Sequence, residues 1–312
     1  MLRVVFFGNS QSVLSNRHFQ ALVETPCELV GAVDVPPSRR ASTNPAVTDF
    51  PGFAEDGHLQ GISVFEPVSP NLPDFVEAMR DLAPDLFVAV GYTNLLKKQI
   101  LSVPRILAAN FHASLLPAYR GKHPVFWALR RGELRAGLTV HVIDAGLDTG
   151  DVLYQVRVRT RKRDSVASLY DRIMDRSVSL VGRLIEDAEG GKLRRTPQPG
   201  IGASYYSSVC EDDFRLDWSS DAEQLRRWIQ TSPGQCFCDV AGRRVFPMDA
   251  EAVPGRADVP IGVLVRIGRS SCTVAAGKGA LRVRRARVDQ QGEQSMPQLC
   301  RELGLEQGDP LA

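Results

Sequence analysis

The chain opens on an apolar run, Leu2-Arg-Val-Val-Phe-Phe7, which stops at Gly8 and leads into a helical segment containing His18–Leu22. A buried strand that turns on a glycine into a helix is the opening of a β-α-β unit. The pattern then repeats. Glu28–Asp34 and Ile62–Pro67 read as strands, and Asn71–Leu82 as a helix with Leu72, Phe75, Val76 and Met79 at helical spacing. Leu86–Val90 is a continuous apolar run of strand length, and Ile106–His112 is extended. Pro124–Arg131 has proline near its start and Gly132 past its end, the punctuation of one short helix. Thr139–Ile143 alternates as a strand. Ser165–Glu186 reads as one long amphipathic helix with Leu169, Ile173, Val178, Val181 and Ile185 on one side. Alternating strands and helices predict an α/β domain with a doubly wound, Rossmann-like, mostly parallel sheet. In such a sheet the ligand lies beyond the carboxyl ends of the strands.

The pattern changes after Gly190. Residues 190–202 are rich in Gly, Pro, Arg and Lys, and Thr196-Pro-Gln-Pro-Gly200 fits no regular element. Beyond it, Ser220-Asp-Ala-Glu223 reads as a capping box opening a helix with Leu225, Trp228 and Ile229 on one face. Short strands follow at Gln235–Val240, Arg244–Pro247, Gly262–Ile267, Cys272–Ala276 and Ala280–Val288, the spacing of a small β-rich barrel. The expected organisation is a first domain over 1–195, a linker over 196–205 and a second domain over 206–312.

Composition narrows the function classes. The 312 residues carry 38 Lys and Arg against 36 Asp and Glu, a net charge of +2 that marks no obligatory nucleic-acid partner. The first apolar run is too short for a signal peptide, and no run approaches the roughly 18 apolar residues of a membrane span. A cytoplasmic location without a membrane partner is the expectation. Six cysteines, 27, 210, 236, 238, 272 and 300, are too sparse for a disulfide scaffold. Cys236 and Cys238 share a strand face but lack a second pair or a nearby histidine, so no metal is expected. Gly8-Asn-Ser-Gln lacks the later glycines of a dinucleotide fingerprint. The loop over 35–52, with several prolines and no periodicity, reads as a mobile surface loop.

The chemistry concentrates between 108 and 154. Asn110 and His112 lie two apart on an extended segment and project to one side, while Phe111 faces the other way. Thr139-Val-His-Val-Ile143 runs into a glycine-punctuated loop carrying Asp144, Asp148 and Asp151. An amide, an imidazole and a carboxylate at strand ends suit acyl-type transfer. The Asn110 amide and a protonated His112 would donate to a developing oxyanion, and Asp148 would orient the imidazole, favour its cationic form and help accept a proton. His141, alternating with Val140 and Val142, reads as a half-buried structural residue.

Asn-Phe-His-Ala-Ser-Leu-Leu-Pro-Ala-Tyr-Arg-Gly at 110–121, followed by Gly-Leu-Asp-Thr-Gly at 146–150, resembles the paired signature of the formyltransferases that use 10-formyltetrahydrofolate. The resemblance is strongest over 84–154, weaker after 205, and covers nearly the whole chain. It implies that Asn110, His112 and Asp148 are the catalytic trio and that 10-formyltetrahydrofolate is the co-substrate. Folate contacts implied with it are Gly91, Tyr92 and Leu95, the Ser114, Leu115, Leu116, Pro117 segment, and Ile143, Asp144 and Gly146 of the acidic loop. The small barrel resembles the oligonucleotide-binding (OB)-like second domain of the methionyl-tRNA formyltransferase type.

The acceptor is a separate question. Members acting on tRNA carry a strongly basic run after the second strand, whereas residues 34–45 here keep only Arg39 and Arg40. Phosphate affinity scales with the number of neutralising contacts, so this departure weakens the tRNA reading. Gly121-Lys-His-Pro-Val-Phe-Trp127 looks more like members that modify small amines or carrier-bound amino acids. Residues 206–312 hold 14 basic and 15 acidic side chains, with one basic patch at Arg282, Arg284, Arg285 and Arg287, of which Arg282 and Arg284 share a strand face that suits either phosphates of tRNA or of a nucleotide-linked sugar, or plain solvent. The expected acceptor is therefore a small-molecule or carrier-linked amine, such as an amino acid or amino sugar, with methionyl-tRNA as the alternative. Rival classes are a metal-dependent hydrolase using His112 and Asp148 as ligands, and a folate-binding module without turnover.

Overall fold

The computed structural model describes residues 1–36, 61–255, 258–289 and 291–311. Most of the expected loop over 35–52, with Arg39 and Arg40, lies outside the described residues. The chain divides into two compact units: one takes 1–127, 134–160 and 167–208, the other 128–133, 161–166 and 209–312.

The first unit is built on a seven-stranded sheet in the order β3-β2-β1-β4-β5-β7-β8. Its strands are β1 (Arg3–Gly8), β2 (Glu28–Asp34), β3 (Val64–Phe65), β4 (Leu86–Val90), β5 (Leu107–His112), β7 (Arg135–Val142) and β8 (Val152–Arg159). The five from β3 to β5 run parallel, and β7 and β8 close the edge as antiparallel strands. Helices α1 (Val13–Val23), α2 (Pro73–Asp81), α3 (Lys98–Leu101), α4 (Pro124–Arg131), α5 (Val166–Ser177) and α6 (Ser179–Glu189) alternate with them. Residues of β1 and β4 are buried on both faces, which is why they read as unbroken apolar runs. On one face Phe7, Phe87, Val33, Met79 and Ile100 form a common core.

Several elements differ from expectation. The strand over 62–67 shrinks to Val64–Phe65, and the strand expected to start at Thr139 begins at Arg135. The single helix over 165–186 is two, α5 and α6. Ser177, at the junction, is buried, with its hydroxyl bonded to the Met174 carbonyl and 3.1 Å from His18 Nε2. A serine that bonds back to its own helix bends it. The segment after 195 is fastened rather than loose: Thr196 bridges Val152, and β9 (Tyr205–Tyr206) pairs in parallel with β6 (Arg120–Gly121).

The second unit is a curled antiparallel sheet, β10-β11-β14-β13-β12, with β15 pairing β14. Its strands are β10 (Cys238–Val240), β11 (Arg243–Val253), β12 (Leu264–Ile267), β13 (Cys272–Ala275), β14 (Ala280–Val288) and β15 (Gln294–Ser295), with α7 (Ala222–Thr231) and α8 (Met296–Glu302). Leu225 and Ile229 of α7 pack with Val245, Val274, Leu281 and Val283 in one core. Asp221, not Ser220, caps α7, its carboxylate accepting the Glu223 N–H at 2.8 Å. Cys236 and Cys238 are buried free thiols. Among the described residues no helix is long and apolar enough to cross a membrane.

Candidate active site

The end of β5 carries the site. In the β5–β7 register Asn110 stands opposite His141, and His112 opposite Thr139. Residues opposite each other in an antiparallel pair project to the same face, so strand pairing alone gathers Asn110, His112 and His141. Phe111, of the other parity, packs its ring edge-on to His18, 5.2 Å between centroids.

Asp148 arrives from the loop joining β7 to β8. Asp144 Oδ1 shapes that loop by accepting the Gly146 N–H at 3.1 Å and the Thr149 hydroxyl at 2.7 Å. Gln198 Nε2 donates to the carbonyls of Asp148 at 2.9 Å and Gly150 at 2.8 Å. Asp148 itself sits at φ 55°, in the left-handed region that Asp tolerates better than most residues. Its Oδ2 accepts the Gly121 N–H at 2.8 Å and lies 3.6 Å from His112 Nδ1. Its Oδ1 lies 3.5 Å from His141 Nε2 and accepts from Asn110 Nδ2 at 3.4 Å. Gly121 must be glycine for this approach: its φ is 95°, and a Cβ there would meet the Tyr206 carbonyl oxygen at 2.2 Å.

Partners fix the proton positions. His112 Nε2 is 2.8 Å from the Tyr119 carbonyl, which only accepts, so Nε2 carries the hydrogen. His141 Nδ1 is 2.9 Å from the Val142 carbonyl, and its Nε2 lies 3.1 Å from Asn110 Nδ2 and faces Asp148 Oδ1. Burial lowers the His112 pKa below the ordinary imidazole value, only partly opposed by the Asp148 charge and the Tyr119 carbonyl. Burial alone would raise Asp148, but its His141, His112 and Gly121 neighbours outweigh that and bring it down to about 2. The carboxylate form of Asp148 is therefore favoured, and His112 Nδ1 faces its Oδ2 across 3.6 Å. Burial thus works against the imidazolium expected from sequence, and the Asp148 carboxylate works for it.

A cavity of about 590 Å³ opens over Asn110, His112 and Asp148, with Gly91, Tyr92 and Leu147 among its walls. That volume is in the range of small-molecule sites. Of the other residues expected at the folate, none is among the cavity's walls. Leu95 is half exposed. Ser114, Leu115, Leu116 and Pro117 form a tight loop, with the Ser114 hydroxyl on the Ala118 carbonyl and the Leu116 N–H on Thr139 Oγ1. Ile143 packs on the sheet core, and Asp144 and Gly146 build the loop that aims Asp148. His141 is the residue the sequence reading passes over. It is 2% exposed and holds Asn110 from behind rather than filling an ordinary strand position. Among the described residues no group of three or more His, Cys, Asp or Glu is disposed to hold a metal ion.

The family described as "Formyl transferase" matches residues 15–185, and "Formyl transferase, C-terminal domain" matches 209–304. The chain belongs to the formyl transferase family. Its members are folate-dependent N-formyltransferases that use formyl-tetrahydrofolate, and this chain is an enzyme of that kind. The methionyl-tRNA formyltransferase of Synechococcus sp. (strain JA-3-3Ab) is 32% identical over 308 residues, 94% of this chain and 93% of the relative. Among solved structures, the sugar 3N-formyl transferase WlaRD, crystallised with dTDP and 5-N-formyl-THF, superposes with a TM-score of 0.65 at 13% identity, over 94% of this chain and 99% of that one. HypX from Aquifex aeolicus, in complex with tetrahydrofolic acid, superposes with a TM-score of 0.60 at 20% identity. That match covers 98% of this chain and 48% of HypX, so this chain spans about half the length of HypX.

Proposed function

We propose that this formyltransferase acts on the amino group of methionyl-tRNA, with Asn110, His112 and Asp148 as its catalytic residues. The observation that carries the acceptor is the match to a methionyl-tRNA formyltransferase along nearly the full length of both chains, through both units. This reverses the preference for a small amine that the sparse basic loop suggested. A second reading, a free or carrier-linked amine such as an amino sugar, draws on one observation. Arg282, Arg284 and Arg285 are ion-paired to Glu251, Asp249 and Glu293, so the basic patch of the second unit is largely neutralised within the fold.

10-Formyltetrahydrofolate supplies an activated formyl carbon: a new C–N bond forms to the acceptor amine, the bond to N10 breaks, and negative charge passes through the formyl oxygen. Asn110 is placed to meet that charge, since its contact with Asp148 at 3.4 Å is long enough to be exchanged for a better acceptor. His112 Nδ1 and Asp148 Oδ2, facing across 3.6 Å, take the proton that the amine loses and pass it on to N10 as that nitrogen departs. His141 and Gly121 hold the amide and the carboxylate in register.

The test is a panel assay of the purified protein with 10-formyltetrahydrofolate and methionyl-tRNA, free methionine or nucleotide-linked amino sugars, following tetrahydrofolate release. Release dependent on methionyl-tRNA is expected. Turnover of an amino sugar with methionyl-tRNA inert would replace this acceptor by the second reading, and release with no acceptor would make the reaction a hydrolysis.

A further inference from the structure

We infer that the β7–β8 edge of the first unit is a phosphate-binding surface that holds the backbone of an acceptor RNA away from the reacting amine; it rests on the proposed acceptor only for which RNA is bound. Arg135 pairs directly with Arg159 across the two strands, and Arg157 lies two residues from Arg159 on the same face. Opposite Arg157 is Gly137, where Leu115 Cδ2 takes the place that a side chain would occupy. The three exposed guanidinium groups border a groove of about 380 Å³.

Two observations set this cluster apart from the basic patch of the second unit. Like charges directly opposite on a sheet repel and are ordinarily separated or neutralised. Among the described residues none of the three is paired with a carboxylate, whereas Arg282, Arg284 and Arg285 of the second unit all are. Arg157 is instead steadied by Gln155 Oε1, at 3.4 and 3.2 Å. Gln155 Nε2 in turn bonds the Leu116 carbonyl and Thr139 Oγ1, and Thr139 faces His112 in the register. The cluster is thus attached to the sheet face that carries the catalytic trio.

Distance selects the kind of anion. Arg135 and His141 are six residues apart on one strand, roughly 20 Å at about 3.4 Å per residue. In a nucleotide-linked amino sugar one pyranose ring separates the diphosphate from the amine, far less than this span. A polynucleotide carries a phosphate about every 3.4 Å along each strand, so its backbone can lie on the arginines while its end occupies the cavity.

The experiment compares the wild type with Arg135→Ala/Arg157→Ala/Arg159→Ala, using uncharged tRNA as the binding probe over a series of salt concentrations. Each duplex phosphate no longer neutralised removes about 0.9 from the slope of log affinity against log salt, so the slope should fall by roughly 2 to 3. The KM for methionyl-tRNA should rise about tenfold or more with kcat little changed. The corresponding triple Arg→Lys variant should keep the slope. If the triple alanine variant does not fold, single Arg→Gln variants should each lower the slope by about 1. An unchanged slope, an absence of RNA binding by the wild type, or a variant that alters sedimentation instead of RNA affinity would overturn the inference, the last making this edge an interface between copies. Binding of tRNA that depends on the arginines, without formylation of methionyl-tRNA, would sink the proposed acceptor and leave this surface standing. Formylation indifferent to the arginines would do the reverse.

Discussion

Asn in place of Asp148 keeps an oxygen for the Gly121 N–H but cannot take a proton, so it separates chemistry from scaffolding. We expect Asp148→Asn to lower kcat by about 100-fold to 10,000-fold, the usual contribution of a positioned acid-base group, while the melting temperature shifts by no more than a few degrees. Turnover like the wild type would remove Asp148 from the mechanism. A second residue, His18, sets how the fold responds to acid. Burial lowers its pKa to about 4 against an unfolded value of 6.5, the Leu14 carbonyl opposing only part of that shift. Between those values the unfolded chain binds a proton that the folded chain refuses. The stabilisation is therefore complete above pH 6.5 and is lost as pH falls toward 4, by about 3 kcal/mol in all. His112 has the same sign. Urea unfolding of His18→Gln should show a shallower loss between pH 6.5 and 4, and an unchanged slope would exclude His18 as its source. That Asn110 and His112 share a face is legible from spacing, because two residues apart on a strand means one face, while their assignment to the chemistry comes from the family resemblance. His141 is not: its partnership with Asn110 is set by β5–β7 register, which alternation within one strand does not reveal.

The loop from β7 to β8 works as one element because Asp144 and Gln198 tie down Gly146, Asp148, Thr149 and Gly150. A Cβ on Gly150 would meet the Val142 carbonyl oxygen at 1.9 Å, so the backbone there has no room to accept a side chain. We expect Gly150→Ala to displace Asp148 and cost activity about 100-fold, the scale of a misplacement near 1 Å, with a melting temperature several degrees lower. The strap across the loop is a milder case. Gln198→Ala removes two hydrogen bonds to loop carbonyls and one partner of Arg120, and should lower kcat more than it raises KM for the folate. A change confined to KM would mean that the strap serves binding rather than the aim of Asp148. The same region shows what pattern reading reaches. Glu28–Asp34 and Leu86–Val90 are found to the residue, the second because a strand buried on both faces is a continuous apolar run. Val152–Arg159 alternates Tyr154, Val156 and Val158 with Gln155, Arg157 and Arg159, yet it has one polar face at a sheet edge, a weaker signal beside an acidic loop that reads as chemistry. The clamp made by Gln198 leaves no trace in sequence, because it joins positions 50 residues apart.

At the scale of the molecule, the second unit is not a contiguous carboxyl-terminal piece. It takes in residues 128–133 and 161–166, so a cut after Ser208 does not release an intact first domain. Within that unit Trp228 Nε1 donates to the Arg130 carbonyl at 3.3 Å, and the Arg130 guanidinium stacks 3.8 Å from the Trp228 ring. Arg226 and Gln230 likewise donate to the carbonyls of Lys162 at 3.4 Å and Arg163 at 3.0 Å. A chain ending at Ser208 strands those carbonyls and the Arg130 side chain, at about 1 kcal/mol for each broken hydrogen bond and for the broken cation–π stack. Marginal stability makes several such losses large, so the fragment 1–208 should melt well below the full chain or sediment as aggregate even though its cavity residues are all present. Composition reading puts a linker at 196–205 because glycine and proline gather around it, and nothing in the sequence of 128–133 or 161–166 marks those segments as parts of the second unit. A soluble 1–208 fragment with the melting temperature of the full chain would show that the carboxyl-terminal residues contribute nothing to holding these segments.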